Sequence, residues 1–260
     1  GDSNTTSVGG SIEGDSDAFG GNGDGVNIDG DQNSVTAVTG IGGAQGVIID
    51  GELNKVDVTG VGNIEGDDGG VVISGDDNAI SVFDGEINGD TDADGSGSGL
   101  VIFSGTGNKI LVGKDVTGSG DIDGGGDGVA IVDGGDNTVK ADGSITGGNN
   151  GGDGFGVLIS KSDDNNVSAG GKISGSFAGV GIEGDDNDVS AGEDITGTDG
   201  NGVAILGDRN TVTAGNDGAG KGITGVDGDG AFINGSGNTV TTTGNISGND
   251  AADVAGRRDG

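Results

Sequence analysis

The sequence predicts an all-β protein, a right-handed single-stranded parallel β-helix of about ten coils. Three observations lead to this fold class: 67 of the 260 residues are glycine, an asparagine-centred unit recurs along the chain, and aliphatic residues alternate with polar ones in short runs. Each interior glycine destabilises a helix by about 1 kcal/mol, which excludes a helical fold. Low hydrophobicity with a high net charge is typical of disorder, but the periodicity indicates a solenoid of stacked coils instead.

The repeated unit reads G-V-x-I-x-G-x-x-N-x-V-x-x-x-G-x-I-x-G and is followed by a tail of variable length. Two well-aligned copies are 70–89 and 179–197. The asparagine marks the phase at intervals of 21–30 residues, at Asn4, Asn33, Asn54, Asn78, Asn108, Asn137, Asn165, Asn187, Asn210 and Asn238. Since these marks cover nearly the whole chain, we predict one continuous β-helix over 1–260, open at both ends, with partial coils at 1–24 and 249–260.

Each coil is expected to hold three short strands, because its apolar residues recur with period two. The first strand carries an aliphatic pair such as Val71 and Ile73, and the second carries one aliphatic residue two positions after the asparagine, such as Ile80. The third strand is predicted at Ile12, Ile64, Ile87, Val116, Ile145, Ile173, Ile195, Ile223 and Ile246, with Ile41 in the same role. Coils stacked about 4.8 Å apart would form a rod roughly 45–50 Å long.

The asparagine column has two readings. In the first, the side chains point inward at one corner, bond to backbone groups there and bond to the next asparagine of the stack. In the second, asparagine is present only because it tolerates the left-handed conformation at a turn. We favour the inward ladder, because one position repeats while its neighbours vary.

Charge and composition exclude several classes of function. The chain has 10 Lys and Arg residues against 44 Asp and Glu, a formal net charge of −34. Nucleic acids and anionic membranes are therefore not expected partners. The absence of Cys and His excludes thiol catalysis, zinc sites of the usual ligands and histidine base catalysis. No apolar run is long enough to insert into a bilayer.

Three units, GDGVNIDGDQNSVTAVTG, GVAILGDRNTVTAGND and GAFINGSGNTVTTTGNISG, carry a resemblance to known proteins. They resemble the passenger repeats of bacterial autotransporters and related β-helical surface adhesins, and the likeness extends over almost the whole chain. The resemblance implies a right-handed β-helix at the cell surface or outside the cell, used in adhesion, in aggregation or as a stalk. The chain departs from that family in its much higher content of Asp.

Two acidic loops are the strongest indication of a binding site in the sequence. Asp90, Asp92 and Asp94 precede Gly95 in D-T-D-A-D-G-S, the first half of an EF-hand-like loop, but the twelfth position is not Glu. The next coil carries a second acidic loop with Asp121, Asp123 and Asp127. We expect the two loops to stack and to supply the six to eight oxygens that Ca²⁺ prefers.

A second acidic feature is a double column at the corner before the asparagine. Asp163, Asp185 and Asp208 share one position of the repeat, and Asp136, Asp164 and Asp186 share the next. Carboxylates stacked about 4.8 Å apart repel by roughly 1 kcal/mol per pair in water, and bound cations would relieve this. The alternative is that turns favour Asp and that salt screens the repulsion. The sequence leaves both readings open.

One face of the first strand carries an apolar stripe. Its outward positions are Ile48, Val72, Val101, Phe103, Val132, Leu158, Leu206 and Phe232. We expect this stripe to contact another chain or a covering loop. The alternative is the ordinary preference of such residues for β-strands.

Three function classes remain to be compared. The first is an extracellular structural or adhesive rod, stabilised by Ca²⁺ and self-associating laterally or head-to-tail, with Arg257 and Arg258 against the acidic first coil. The second is a carbohydrate-binding or polysaccharide-processing β-helix, including binding to cell-surface glycans, although the chain has no Trp or Tyr to support sugars. The third, an ice-binding solenoid, is disfavoured because Leu111 and Lys140 interrupt the required row of threonines. We predict the first class, with no enzymatic activity.

Overall fold

A computed structural model describes residues 1–14, 23–92, 94–113, 121–148, 151–215, 220–249 and 254–256. Short strands joined by turns make up this part of the chain. Within it, no helix has the length and apolar character needed to cross a membrane.

The strands are short, with two exceptions of eleven residues. In chain order they are β1 (Thr5–Val8), β2 (Ser11–Glu13), β3 (Val26–Asp29), β4 (Ser34–Ala37), β5 (Gly40–Asp50), β6 (Lys55–Val58), β7 (Ile64–Ser74), β8 (Ala79–Val82), β9 (Ile87–Asn88), β10 (Ser98–Phe103), β11 (Lys109–Val112), β12 (Ile122–Asp123), β13 (Val129–Val132), β14 (Thr138–Ala141), β15 (Ile145–Thr146), β16 (Phe155–Ser160), β17 (Asn166–Ala169), β18 (Ile173–Gly175), β19 (Ala178–Glu183), β20 (Asp188–Ala191), β21 (Ile195–Gly197), β22 (Val203–Leu206), β23 (Thr211–Ala214), β24 (Ile223–Gly225), β25 (Ala231–Asn234), β26 (Thr239–Thr242), β27 (Ile246–Gly248) and β28 (Val254–Gly256).

The strands pair in parallel and form three ladders along the stack. The first-strand ladder runs β3-β5-β7-β10-β13-β16-β19-β22-β25-β28. The second-strand ladder runs β1-β4-β6-β8-β11-β14-β17-β20-β23-β26. The third-strand ladder runs β2-β5-β7-β9-β12-β15-β18-β21-β24-β27. The predicted all-β parallel solenoid is therefore confirmed.

Two strands depart from the expected three per coil. In β5 and β7 the third strand of one coil continues directly into the first strand of the next, so one strand serves two ladders. The first- and third-strand ladders consequently belong to a single 18-stranded sheet. The right hand of the coil stays a prediction.

The core consists of columns in which like residues lie above like residues. In the third-strand column, Ile64 pairs with Ile87, Ile87 with Ile122 and Ile122 with Ile145, and all four are fully buried. Burial of each aliphatic side chain contributes about 1.5–3 kcal/mol, most of which the loss of chain entropy offsets. The columns weaken toward the ends, where residues are only partly buried: Ile12, Ile233, Val240 and Ile246.

One residue of the third-strand prediction is corrected. The sequence places Val116 in this column, but the structure places Ile122 there, paired with Ile87 and Ile145. Val116 itself lies outside the described residues. Both residues occupy similar local patterns, D-V-T-G and D-I-D-G, so the pattern alone does not choose between them. Ile41 does take the predicted role, since it pairs with Ile12 and Ile64.

Candidate functional site

The asparagine corner is a continuous hydrogen-bonded ladder. At Asn137, the Oδ1 atom accepts hydrogen bonds from the backbone N of Asn108 (3.0 Å) and from its Nδ2 (3.0 Å). The Nδ2 of Asn137 donates to the carbonyl of Gly105 (2.8 Å) and to Oδ1 of Asn165 (3.0 Å). The members buried in this way are Asn33, Asn54, Asn78, Asn108, Asn137, Asn165, Asn187 and Asn210. The inward ladder is therefore confirmed, and its side chains are committed to the fold.

The left-handed conformation belongs to the residue before each asparagine. Its φ angle is positive in ten successive coils, at Ser3, Gln32, Leu53, Asp77, Gly107, Asp136, Asp164, Asp186, Arg209 and Gly237. Asp tolerates this conformation better than most residues because its short side chain bonds locally. Asp136, Asp164 and Asp186 are thus turn residues. Asp186 also accepts from Nε (2.7 Å) and Nη2 (2.6 Å) of Arg209, and this hydrogen bonding lowers the pKa of Asp186.

The neighbouring acidic column holds the backbone of the next coil. Oδ1 of Asp163 accepts from the amide of Asp185 (2.7 Å), and Oδ1 of Asp185 accepts from the amide of Asp208 (2.7 Å). Asp208 accepts in turn from the amide of Ser236 (2.6 Å). These contacts give each carboxylate a structural partner without a cation, so they support the turn reading of this column.

The same contact recurs where the sequence reasoning did not identify it. Asp2 accepts from the amide of Asp31 (3.1 Å), and Asp31 accepts from the amide of Glu52 (2.8 Å). Asp76 accepts from the amide of Thr106 (2.8 Å). The available signal was an Asp two residues before the asparagine in each of these coils. An Asp that recurs two residues before the asparagine therefore indicates a hydrogen bond from a backbone amide of the next coil.

The first acidic loop brings three carboxylates together. Ligand oxygens of Asp90, Asp92 and Asp94 lie within 4.8 Å of one another, and Asp90 is only 4% exposed. Asp90 accepts from the amide of Gly95 (3.1 Å), and Asp94 accepts from the amide of Ser96 (2.9 Å). The loop therefore curls around its own carboxylates, and the calcium site predicted from D-x-D-x-D-G stays a prediction.

Charge crowding in this loop is visible at Asp92. Desolvation raises the pKa of Asp92 above its usual value, and repulsion from Asp94, Asp67 and Asp90 adds to the increase. A hydrogen bond from the amide of Asp94 acts in the opposite direction. A bound divalent cation would offset this repulsion, and carboxylate oxygens are the ligands that Ca²⁺ prefers.

The second acidic loop is grouped differently from the prediction. Because Ile122 lies in the third strand, Asp121 and Asp123 flank it and face the previous coil at Ile87–Asn88. Their ligand oxygens lie within 4.8 Å of each other and of Glu86, which the sequence reasoning missed. Among the described residues, five of the six predicted aspartates therefore fall into two separate groups, Asp90, Asp92 and Asp94 in one and Asp121 and Asp123 in the other.

Asp127 belongs to neither group. Its Oδ1 accepts from the amide of Phe155 at 2.8 Å. Burial raises the pKa of Asp127, although the hydrogen bond from Phe155 opposes this change. This aspartate therefore braces the start of β16 instead of joining a cluster of ligands.

The apolar stripe lies outside the core. Phe103 and Leu206 are each 47% exposed, and the other six predicted positions are half-buried. The residues occupy two adjacent outward rows of the first-strand ladder: Ile48, Val72, Val101, Leu158 and Phe232 in one row, and Phe103, Val132 and Leu206 in the other. Among the described residues, none of these eight side chains belongs to the buried core.

A polar groove of about 510 Å³ lies beside the first coils of the third-strand ladder. Glu13, Glu65, Asp67 and Thr91 are among its lining residues. Glu13 and Glu65 both pair with Gly42, so they project from the same row two coils apart.

Comparison of the chain with models of protein families, with curated proteins and with solved structures finds no match.

Proposed function

We propose that this chain is a structural rod that acts outside the cell and extends by joining further β-solenoid coils. The observation that carries the proposal is the constancy of the stack: three parallel ladders run along it, and the second-strand ladder keeps one register from β1 to β26. The core of this stack consists of aliphatic columns with buried asparagines at one corner. Both kinds of residue hold successive coils together and so stiffen the rod. The resemblance to adhesin repeats and the high acidity support the extracellular location.

The terminal coils support joining through strand edges. Among the described residues, β1 pairs only with β4, and β26 pairs only with β23. The side chains of β26 are exposed or only partly buried. Edge strands of this kind pair readily with a compatible neighbour, and a head-to-tail contact between them produces a filament. The apolar stripe offers a second, lateral route to association.

Calcium is the second part of the proposal. The groups Asp90, Asp92 and Asp94, and Glu86, Asp121 and Asp123, hold carboxylates close together beside the third-strand ladder. Binding of Ca²⁺ to these groups would stabilise the folded rod by ligand linkage. It would also reduce the repulsion between rods of net charge −34.

Sedimentation velocity over a range of protein concentrations, with calcium chloride and with chelator, tests the association. We expect species that grow with concentration and grow further with calcium. Val240→Pro places a residue without an N–H group in edge strand β26 and is expected to stop growth. Phe103→Ser changes only the exposed stripe and reports on lateral contacts. A monomer at all concentrations in calcium would contradict the proposal.

A second candidate function is binding of neutral glycans in the polar groove at Glu13 and Glu65. Its lining of carboxylate and hydroxyl groups favours hydrogen bonding to sugars. Glycan-array binding that Glu65→Gln abolishes, while Glu183→Gln does not, would support this function. Absence of any binding would leave the structural rod alone.

A further inference from the structure

A second groove, distinct from the acidic clusters, lies on the outward face of β16, β19 and β22. Its volume is about 300 Å³, and Phe155, Leu158, Phe177 and Leu206 form much of its lining. The rings of Phe155 and Phe177 lie 5.1 Å apart between centroids and are tilted by 58°. Phe177 is 52% exposed, so one ring of the pair is open to a ligand.

The groove exists because the apolar stripe is interrupted by small residues. In the row that contains Leu158, the next two coils carry Gly181 and Ala204. A Cβ atom on Gly181 would lie 2.6 Å from the ring of Phe155, so only glycine leaves room for the ring at this position of β19. Larger residues return at Phe232. The result is a depression with aromatic and aliphatic walls.

The charged groups at the groove are all acidic among its described lining residues. Glu183 and Asp199 line the rim, and the hydroxyl of Ser160 donates to Glu183 (3.2 Å). An apolar floor with carboxylates at the rim is complementary to a side chain that has an apolar stem and a cationic head. Aromatic faces also attract such cations directly.

We propose that this groove binds a basic segment of a partner protein, in which an Arg or Lys side chain lies on the Phe155–Phe177 pair and its cationic head meets Glu183 and Asp199. The net charge of −34 would steer a basic segment toward the rod. This inference does not depend on end-to-end assembly of the rod. It proposes which kind of partner binds the part of the apolar stripe that contains Leu158 and Leu206.

Fluorescence anisotropy with a labelled peptide of alternating arginine and leucine tests the proposal at about 0.15 M salt, where distant charges are screened. We expect the Phe177→Ala variant to bind this peptide about tenfold more weakly than the native chain. Phe103→Ala removes an equally exposed ring outside the groove and should leave affinity unchanged. Ala204→Leu fills the groove without removing any other lining side chain and should also weaken binding.

Charge variants distinguish the contribution of the rim carboxylates to binding from that of the overall negative charge of the chain. Asp199→Asn should weaken binding several-fold, whereas Asp50→Asn, an exposed carboxylate in the same outward row as Glu183, should not. An arginine–glycine peptide should bind more weakly than the arginine–leucine peptide. Equal loss in groove and control variants would overturn the proposal, because binding would then be unspecific. A native dimer that Phe177→Ala dissociates would assign the groove to a second copy and would also overturn it.

Discussion

The corner between the first and second strands and the exit from the third strand differ in how strictly they repeat. Nine successive corners contain four or five residues, and each ends with the asparagine of the ladder. The exit varies from no residues at all within β5 and β7 to nine residues at 89–97 and twelve between β2 and β3. Both regions are rich in Asp, yet Asp163 and Asp185 at the corner accept from amides of the next coil, whereas the three aspartates of the exit at 89–97 accept from amides of their own loop. The position of an acid in the repeat therefore indicates its role better than its identity does.

The corner itself has two versions, and glycine distinguishes them. The four-residue corners begin with glycine at φ between 129° and 156°, as at Gly30 and Gly184. This region is essentially restricted to glycine. The five-residue corners begin with Ser104, Asp133 or Lys161 at φ of 51–54°, which other residues can adopt. One added residue thus removes the requirement for glycine while the asparagine stays in place.

The largest expected effect is at the asparagine ladder. Asn137→Ala removes the acceptor of the Asn108 amide and one of the two donors to the Gly105 carbonyl in a buried site. We expect the free energy of unfolding to fall by about 3 kcal/mol, because buried polar groups without partners cost about 1–3 kcal/mol each. Urea unfolding followed by circular dichroism measures this change. The exposed Asn234, replaced by Ala, is the matched control and should change stability by less than about 0.5 kcal/mol. Equal effects at both sites would refute the structural role of the ladder.

The next effect sharpens the contrast between the two corner versions. In Gly184→Ala, the new Cβ would lie 2.0 Å from the carbonyl oxygen of Ser162, at a φ of 156°. We expect a loss of about 2–3 kcal/mol from strain of this kind. Ser104→Ala, in a five-residue corner, keeps a conformation that both residues tolerate and should cost about 0.5 kcal/mol or less. Thermal unfolding of the two variants compares them, and a tolerated Gly184→Ala would contradict the proposed geometry.

The smallest effect concerns pH at the start of β16. Because the pKa of Asp127 is raised in the folded state, the native chain loses stability as pH rises through that pKa. Asp127→Asn keeps an acceptor for the Phe155 amide but cannot ionise. We therefore expect this variant to match the native chain in acid and to become the more stable of the two toward neutral pH. Melting temperatures measured from acidic to neutral pH test this, and a constant difference at all pH values would contradict it.

Much of the fold was predictable because each coil repeats the same local pattern. The columns at Ile64 and Ile87 and the inward asparagines follow from alternation and phase, which need no knowledge of distant contacts. The local pattern does not predict Ile122 over Val116 in the third-strand column, because D-V-T-G and D-I-D-G both match it. The pairing of Ile122 with Ile87 distinguishes them. Glu86 was missed for the same reason, since its proximity to Asp121 is set by that register.

The most direct test of the account is a thermal melt with calcium and with excess chelator on three proteins: the native chain, Asp92→Asn and Asp163→Ala. We predict that calcium stabilises the native chain, by about 2.7 kcal/mol at a hundredfold excess over the dissociation constant. Asp92→Asn should remove the part of this response that comes from the Asp90, Asp92 and Asp94 group and leave the part that comes from Glu86, Asp121 and Asp123. Asp163→Ala should keep the response but lower stability by about 1 kcal/mol with or without calcium, because the Asp185 amide loses its acceptor. A calcium response that is as large in Asp92→Asn as in the native chain, or that disappears in Asp163→Ala, would show that position in the repeat does not separate structural from ligand carboxylates.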